Sequence, residues 1–116
     1  MSKDYNYKNY YSISEAMKIH NNIMPGPKFT LLDYNILCLV RSFYESNQKF
    51  YMSNEQLAEL FFSCEKTVRS SIKRLEDSWF ITKELIDGNR RKGRYLYYQK
   101  DVVEKFITDM QLEFQR

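Results

Sequence analysis

The side chains best suited to chemistry in this sequence are hydrogen-bond donors with no catalytic partner beside them. Lys66, Arg69, Lys73 and Arg74 share one short segment, and Arg90, Arg91, Lys92 and Arg94 crowd a second. Dense cations meet acceptors, above all phosphate oxygens and the acceptor edges of bases. From residue 66 to residue 94, nine basic residues stand against four acidic ones, a net +5 in a chain whose total is +3, so the remainder carries −2. A basic loop by itself can equally be a solvated hairpin tip. What surrounds these donors therefore decides their meaning.

The elements that must position them are legible. Ser53 and Gln56 form a capping box, which predicts a helix from Asn54, with Leu57, Ala58, Leu60 and Phe61 as its apolar stripe. A second helix starts near Ser63 or Cys64, with Glu65 favourably placed in its first turn. Val68, Ile72 and Leu75 are spaced i, i+4, i+7 and face a core, which leaves Lys66, Thr67, Arg69, Ser70, Lys73 and Arg74 to share the outer faces. Two strand-like runs follow, 81–86 and 95–99, separated by the turn-forming Asp87, Gly88, Asn89 and Gly93.

The segment 53–81 resembles winged helix-turn-helix DNA-binding domains, in the pattern shared by MarR-like regulators and the N-terminal domains of plasmid and phage replication initiators. The matching residues are Leu57 and Ala58, Thr67 to Arg69, Ile72 to Glu76, and Phe80 with Ile81. The resemblance implies that one helix enters a DNA major groove while the wing lies on the backbone or in the minor groove. It makes Lys66, Thr67, Arg69, Ser70 and Lys73 the base-reading candidates, with Arg74, Arg90, Arg91, Lys92 and Arg94 completing the DNA-binding set. The chain departs from the family at four places. Phe62 replaces a corner Gly, Ser63 an apolar residue, Cys64 a capping Ser or Thr, and Trp79 the Gly before the final Leu-Ile.

The remaining sequence is read around that core. Residues 1–12 are expected to form a polar, Tyr-rich arm, loose or a short strand. Residues 13–116 then form a single mainly α domain with a small antiparallel hairpin: helix-turn-helix 53–80, wing 81–99 and C-terminal helix 101–115. A helix is expected over 14–24, ended by Pro25-Gly26-Pro27. Another opens at the Thr30/Asp33 capping box and buries Leu32, Ile36, Leu39, Val40 and Phe43. Residues 49–52 are expected to be a short strand against the wing. Asp101 is expected to cap the last helix, whose stripe Val103, Phe106, Ile107, Met110 and Phe114 could cover the first helix or pair two copies; we read it as a homodimer surface.

Other chemistries find little support. Cys38 and Cys64 are 26 residues apart, beside one histidine, His20, which fits neither a disulfide framework nor a zinc signature. Cys38 is expected to be a buried small hydrophobe and His20 a surface residue, while Cys64 reads as a substitute cap or, in the sharper reading, a redox-sensitive thiol. No nucleophile–base constellation or phosphate-binding Gly-rich loop is visible, so neither catalysis nor a cofactor is expected. The longest apolar run is far below membrane-spanning length and no leader is recognisable, so a soluble cytoplasmic protein is expected. The function expected is sequence-specific binding of double-stranded DNA by a small transcriptional regulator. Two alternatives are a plasmid or phage replication, transfer or maintenance factor, and a winged domain that contacts proteins.

Overall fold

The computed structural model describes the backbone of residues 2–114 and the side chains of residues 12–114. Five helices and one hairpin follow in the order α1 (Ser2–Ile23), α2 (Leu31–Glu45), α3 (Asn54–Leu60), α4 (Glu65–Asp77), β1 (Ile81–Leu85), β2 (Arg94–Tyr98) and α5 (Lys100–Phe114). The capping boxes at Thr30/Asp33 and Ser53/Gln56 are both complete, each hydroxyl accepting from the backbone three residues on and each N3 side chain returning to the cap. They start α2 and α3 by satisfying backbone donors that a helix N-terminus otherwise leaves unpaired.

Three expectations about elements are corrected. The segment 1–12 was read as non-helical, yet α1 runs unbroken from Ser2; nothing between residues 2 and 23 is a glycine or proline that would stop a helix. The side chains of residues 1–11 lie outside the described residues. Asp101 falls in the first turn of α5, not at its cap, because the helix already begins at Lys100 and Val103 N–H donates to the Gln99 carbonyl at 3.1 Å. The strand expected over 49–52 reduces to one antiparallel bridge, Phe50 with Leu96.

Side chains from the C-terminal half of α1, the inner faces of α2, α3 and α4, and the hairpin close one core. Ile13, Ile36, Leu37, Leu57, Val68 and Leu75 are fully buried within it. The hairpin pairs Ile81 with Tyr98 and Leu85 with Arg94, which turns Leu96 and Tyr98 inward against Phe50 and α2. At the other edge Phe29, Phe80 and Phe106 pack ring on ring, with centroids 4.9–5.8 Å apart. His20 leans on Phe29 at 4.9 Å and is half-buried, a correction to its expected surface position.

This packing also corrects the reading of α5. Val103 and Met110 are buried and Phe106 and Ile107 are packed against the same core, so the stripe covers the chain's own helices. Of the five residues proposed for a homodimer, Phe114 is the exposed one, at 76%. The physical reason is area: a small domain needs every available apolar stripe to build one core.

Among the described residues, four non-glycine residues have left-handed backbones: Asn47, Phe62, Trp79 and Asp87. Phe62 (φ 52°) turns the corner between α3 and α4, and Trp79 (φ 63°) the corner between α4 and β1. These are two of the positions where glycine was the family pattern. The backbone still adopts the glycine conformation, at a cost of about 1–2 kcal/mol per residue in Cβ crowding.

Candidate nucleic-acid interface

On α4 the alternation of buried and exposed positions separates the basic residues into two groups. Val68, Ser71, Ile72 and Leu75 are buried, while Lys66, Thr67, Arg69, Ser70 and Lys73 are exposed along one side of the helix. Arg74 is half-buried and turned toward a partner on another helix. Its guanidinium grips Asp33, Nε to Oδ2 at 2.8 Å and Nη2 to Oδ1 at 3.0 Å, and Asp33 is 0% exposed. The same carboxylate accepts the Thr30 N–H at 2.9 Å. A capping residue of α2 therefore anchors α4, and Arg74 serves to orient that helix. Hydrogen bonding to Asp33 holds its guanidinium still further from deprotonation, against a lesser opposing effect of burial.

Arg94, at the base of the wing, is likewise committed inward. It donates to the Met52 carbonyl at 2.6 Å and to Asn54 Oδ1 at 2.7 Å, tying β2 to the start of α3. Burial lowers its pKa, so these two acceptors serve a cation taken partly out of water. Lys83 on β1 approaches Glu76 of α4 at 3.9 Å, a third tie between wing and helix.

The wing tip is built by two short 3-10 turns, Ile86–Gly88 and Arg90–Lys92. The Asn89 side chain accepts the Arg91 N–H at 2.9 Å and starts the second turn. Gly93 closes it at φ 99°, where a Cβ would also meet the Tyr51 ring at 3.5 Å. Lys92 pairs with Asp87 at 3.0 Å, and Lys73 on α4 with Asp77 at 3.7 Å. Among the described residues, Lys66 and Arg69 on α4 and Arg90 and Arg91 on the tip form no salt bridge and are exposed. Of the ten candidates, eight are thus brought to the surface of α4 and the wing tip, and Arg74 and Arg94 are drawn into structural roles.

Between α4 and the hairpin lies an open cleft of about 690 Å³, lined by the cations Arg69, Lys73, Lys83 and Arg90 and by the carboxylates Glu55, Glu65, Glu76 and Asp77. Sequence reasoning missed Lys83, whose place facing α4 follows from strand alternation once the register is known. At the cap of α4, Cys64 makes no capping bond. Its Sγ lies 3.1 Å from Thr67 Oγ1, and that hydrogen bond holds the exposed thiol below the ordinary range. Cys38 is half-buried, and burial pushes its thiol up. Among the described residues no cluster of His, Cys, Asp or Glu is arranged to hold a metal ion. No helix among them is long and apolar enough to cross a membrane.

Comparison of the sequence with protein-family profiles gave no match, and no curated protein sequence matched it. Solved structures do. The transcriptional regulator BldR from Sulfolobus solfataricus superimposes with a TM-score of 0.52 at 14% identity, over 98% of this chain and 73% of that one. MepR, a transcription regulator of the Staphylococcus aureus multidrug efflux pump MepA, gives 0.52 at 12% identity, over 99% and 79%. The transcriptional regulator Tm0710 from Thermotoga maritima gives 0.50 at 17% identity, over 98% and 75%. At such identities the likeness is one of fold.

Proposed function

Proceeding from the winged helix-turn-helix fold of MarR-type regulators, we propose that this chain binds double-stranded DNA sequence-specifically and acts as a small transcriptional regulator without catalysis. In this reading α4 enters the major groove, and Lys66, Thr67, Arg69, Ser70 and Lys73 meet base edges and flanking phosphates. Arg90 and Arg91 at the wing tip meet the backbone or the minor groove, with Lys92 beside them. Arg74 and Arg94 act indirectly, by holding α4 and the wing at a set angle. In this reading the protein works in the cytoplasm, on DNA that lies there.

The observation that carries the reading is the set of cations without salt bridges. Lys66, Arg69, Arg90 and Arg91 are exposed on the two elements that flank the cleft. An unpaired surface cation contributes little to stability, whereas on a phosphate it releases a condensed counterion. The test is retention of a random-sequence duplex pool at low and physiological salt, followed by sequencing of what is retained. Enrichment of a motif is expected; a palindrome would mark two copies bound side by side, a single half-site one copy. Arg69→Ala should then weaken binding to the selected duplex by about 1–3 kcal/mol more than to mixed sequence. Failure to retain duplex at either salt would remove the DNA reading and favour a protein partner.

A further inference from the structure

Phe62 stands where backbone and solvent both work against it. Its φ of 52° lies in the left-handed region that suits glycine, and its side chain is 98% exposed. The ring therefore gains nothing from the fold that holds it. Chain reversal between two helices requires no aromatic side chain, and a bulky residue with positive φ is an outlier that points to function. The support beneath it is firm. Phe61 N–H donates to the Leu57 carbonyl at 3.0 Å and Ser63 N–H to the Ala58 carbonyl at 2.9 Å, so the corner is fixed on both sides of the ring.

Its neighbourhood identifies the partner. Phe62 precedes Glu65, the first residue of α4, by three positions, at the same end of the helix as the unpaired Lys66 and Arg69. Ser63, Cys64 and Glu65 separate it from the apolar residues of α4, while on the α3 side Leu60 is 48% exposed. A protein partner that buries an aromatic anchor normally surrounds it with a wider apolar patch. A ring with one half-exposed leucine, followed along α4 by Lys66 and Arg69, is a small apolar spot that fits duplex DNA, whose deoxyribose carbons and thymine methyl groups are apolar islands among phosphates.

We infer that Phe62 is a DNA-contacting residue whose ring packs against the sugar edge or a thymine methyl of the duplex where the N-terminal end of α4 enters the groove. The inference rests on the DNA reading above and extends it to a residue outside the basic set. Exposed in the free protein, the ring loses its water on binding, and that transfer supplies affinity. The left-handed corner points it outward at the expense of stability.

The experiment compares the wild type with Phe62→Gly and Phe62→Leu, measuring the melting temperature of the free protein and the affinity for a labelled duplex recovered from the random pool. Phe62→Gly should melt higher by about 3–6 °C and bind that duplex about tenfold more weakly. Phe62→Leu keeps an apolar side chain and the strain, and should melt near the wild type with most of the affinity retained. A merely structural ring would move stability and affinity downward together, which would overturn the inference. So would Phe62→Gly binding as tightly as the wild type. If the wild type itself retains no duplex, the DNA reading falls and takes this inference with it, an outcome distinct from the other two.

Discussion

Lys73 and Arg74 are adjacent in sequence and have opposite fates, because one helical residue turns the side chain by about 100°. Lys73 stays exposed beside Asp77, while Arg74 neutralises the buried Asp33. Removing Arg74 strands a carboxylate that is 0% exposed, so Arg74→Ala should lower stability by about 3–5 kcal/mol. Lys73→Ala should change it by less than about 0.5 kcal/mol. Urea denaturation of the two variants checks the pair, and equal effects would contradict the division of roles. The thiols divide in the same way. Cys64 is exposed with its pKa lowered by Thr67, and Cys38 is half-buried with its pKa raised. A lowered pKa means more thiolate below the ordinary thiol range, so Cys64 should alkylate well before Cys38 near pH 7.5. Thr67→Val removes the hydrogen bond and should slow Cys64 alkylation there, the difference vanishing at pH values above both pKa values. Mass spectrometry of the labelled chain reads both effects, and an unchanged Cys64 rate would show that the Thr67 bond does not set its reactivity.

Two helix corners and the last helix show how elements take their roles. The corner after α4 is turned by Trp79 at φ 63°, and its side chain is 68% exposed. Trp79→Gly relieves Cβ crowding and gives the unfolded chain more freedom, opposing effects that should leave a net gain of about 0.5–1 kcal/mol. Thermal melting checks it; a fall in stability would mean that the indole's remaining contacts outweigh the strain. Trp79 lies at the end of α4 opposite Phe62, so no loss of DNA affinity is expected to accompany the gain. For α5, periodicity identified an apolar stripe without saying what it would face. Val103 and Met110 turn into the core, and the amphipathic pattern is the same for a helix that covers its own domain and one that covers a partner.

At the scale of the whole molecule, the exposed cations without salt bridges lie on the two elements that border one cleft: Lys66 and Arg69 from α4, Arg90 and Arg91 from the wing tip. With each of these four cations on a phosphate, log affinity for duplex should fall with log salt at a slope of about −3 to −4 per copy, and Arg91→Ala should flatten it by about 0.9. A titration from low to physiological salt measures both, and an Arg91→Ala slope equal to the wild type would take that residue off the backbone. The sequence by itself determined what local chemistry governs. It specified the two capping boxes, the inward triad Val68, Ile72 and Leu75, the hairpin and its basic loop, and the family pattern on which glycine was replaced by Phe62 and Trp79. Caps, periodicity and turns act over a few residues, so they are readable along the chain. Tertiary structure alone decided which cations remain free. Arg74 meets Asp33 and Arg94 meets Met52 and Asn54 across about forty positions of sequence, and whether a donor finds an acceptor inside the protein depends on what folding brings beside it.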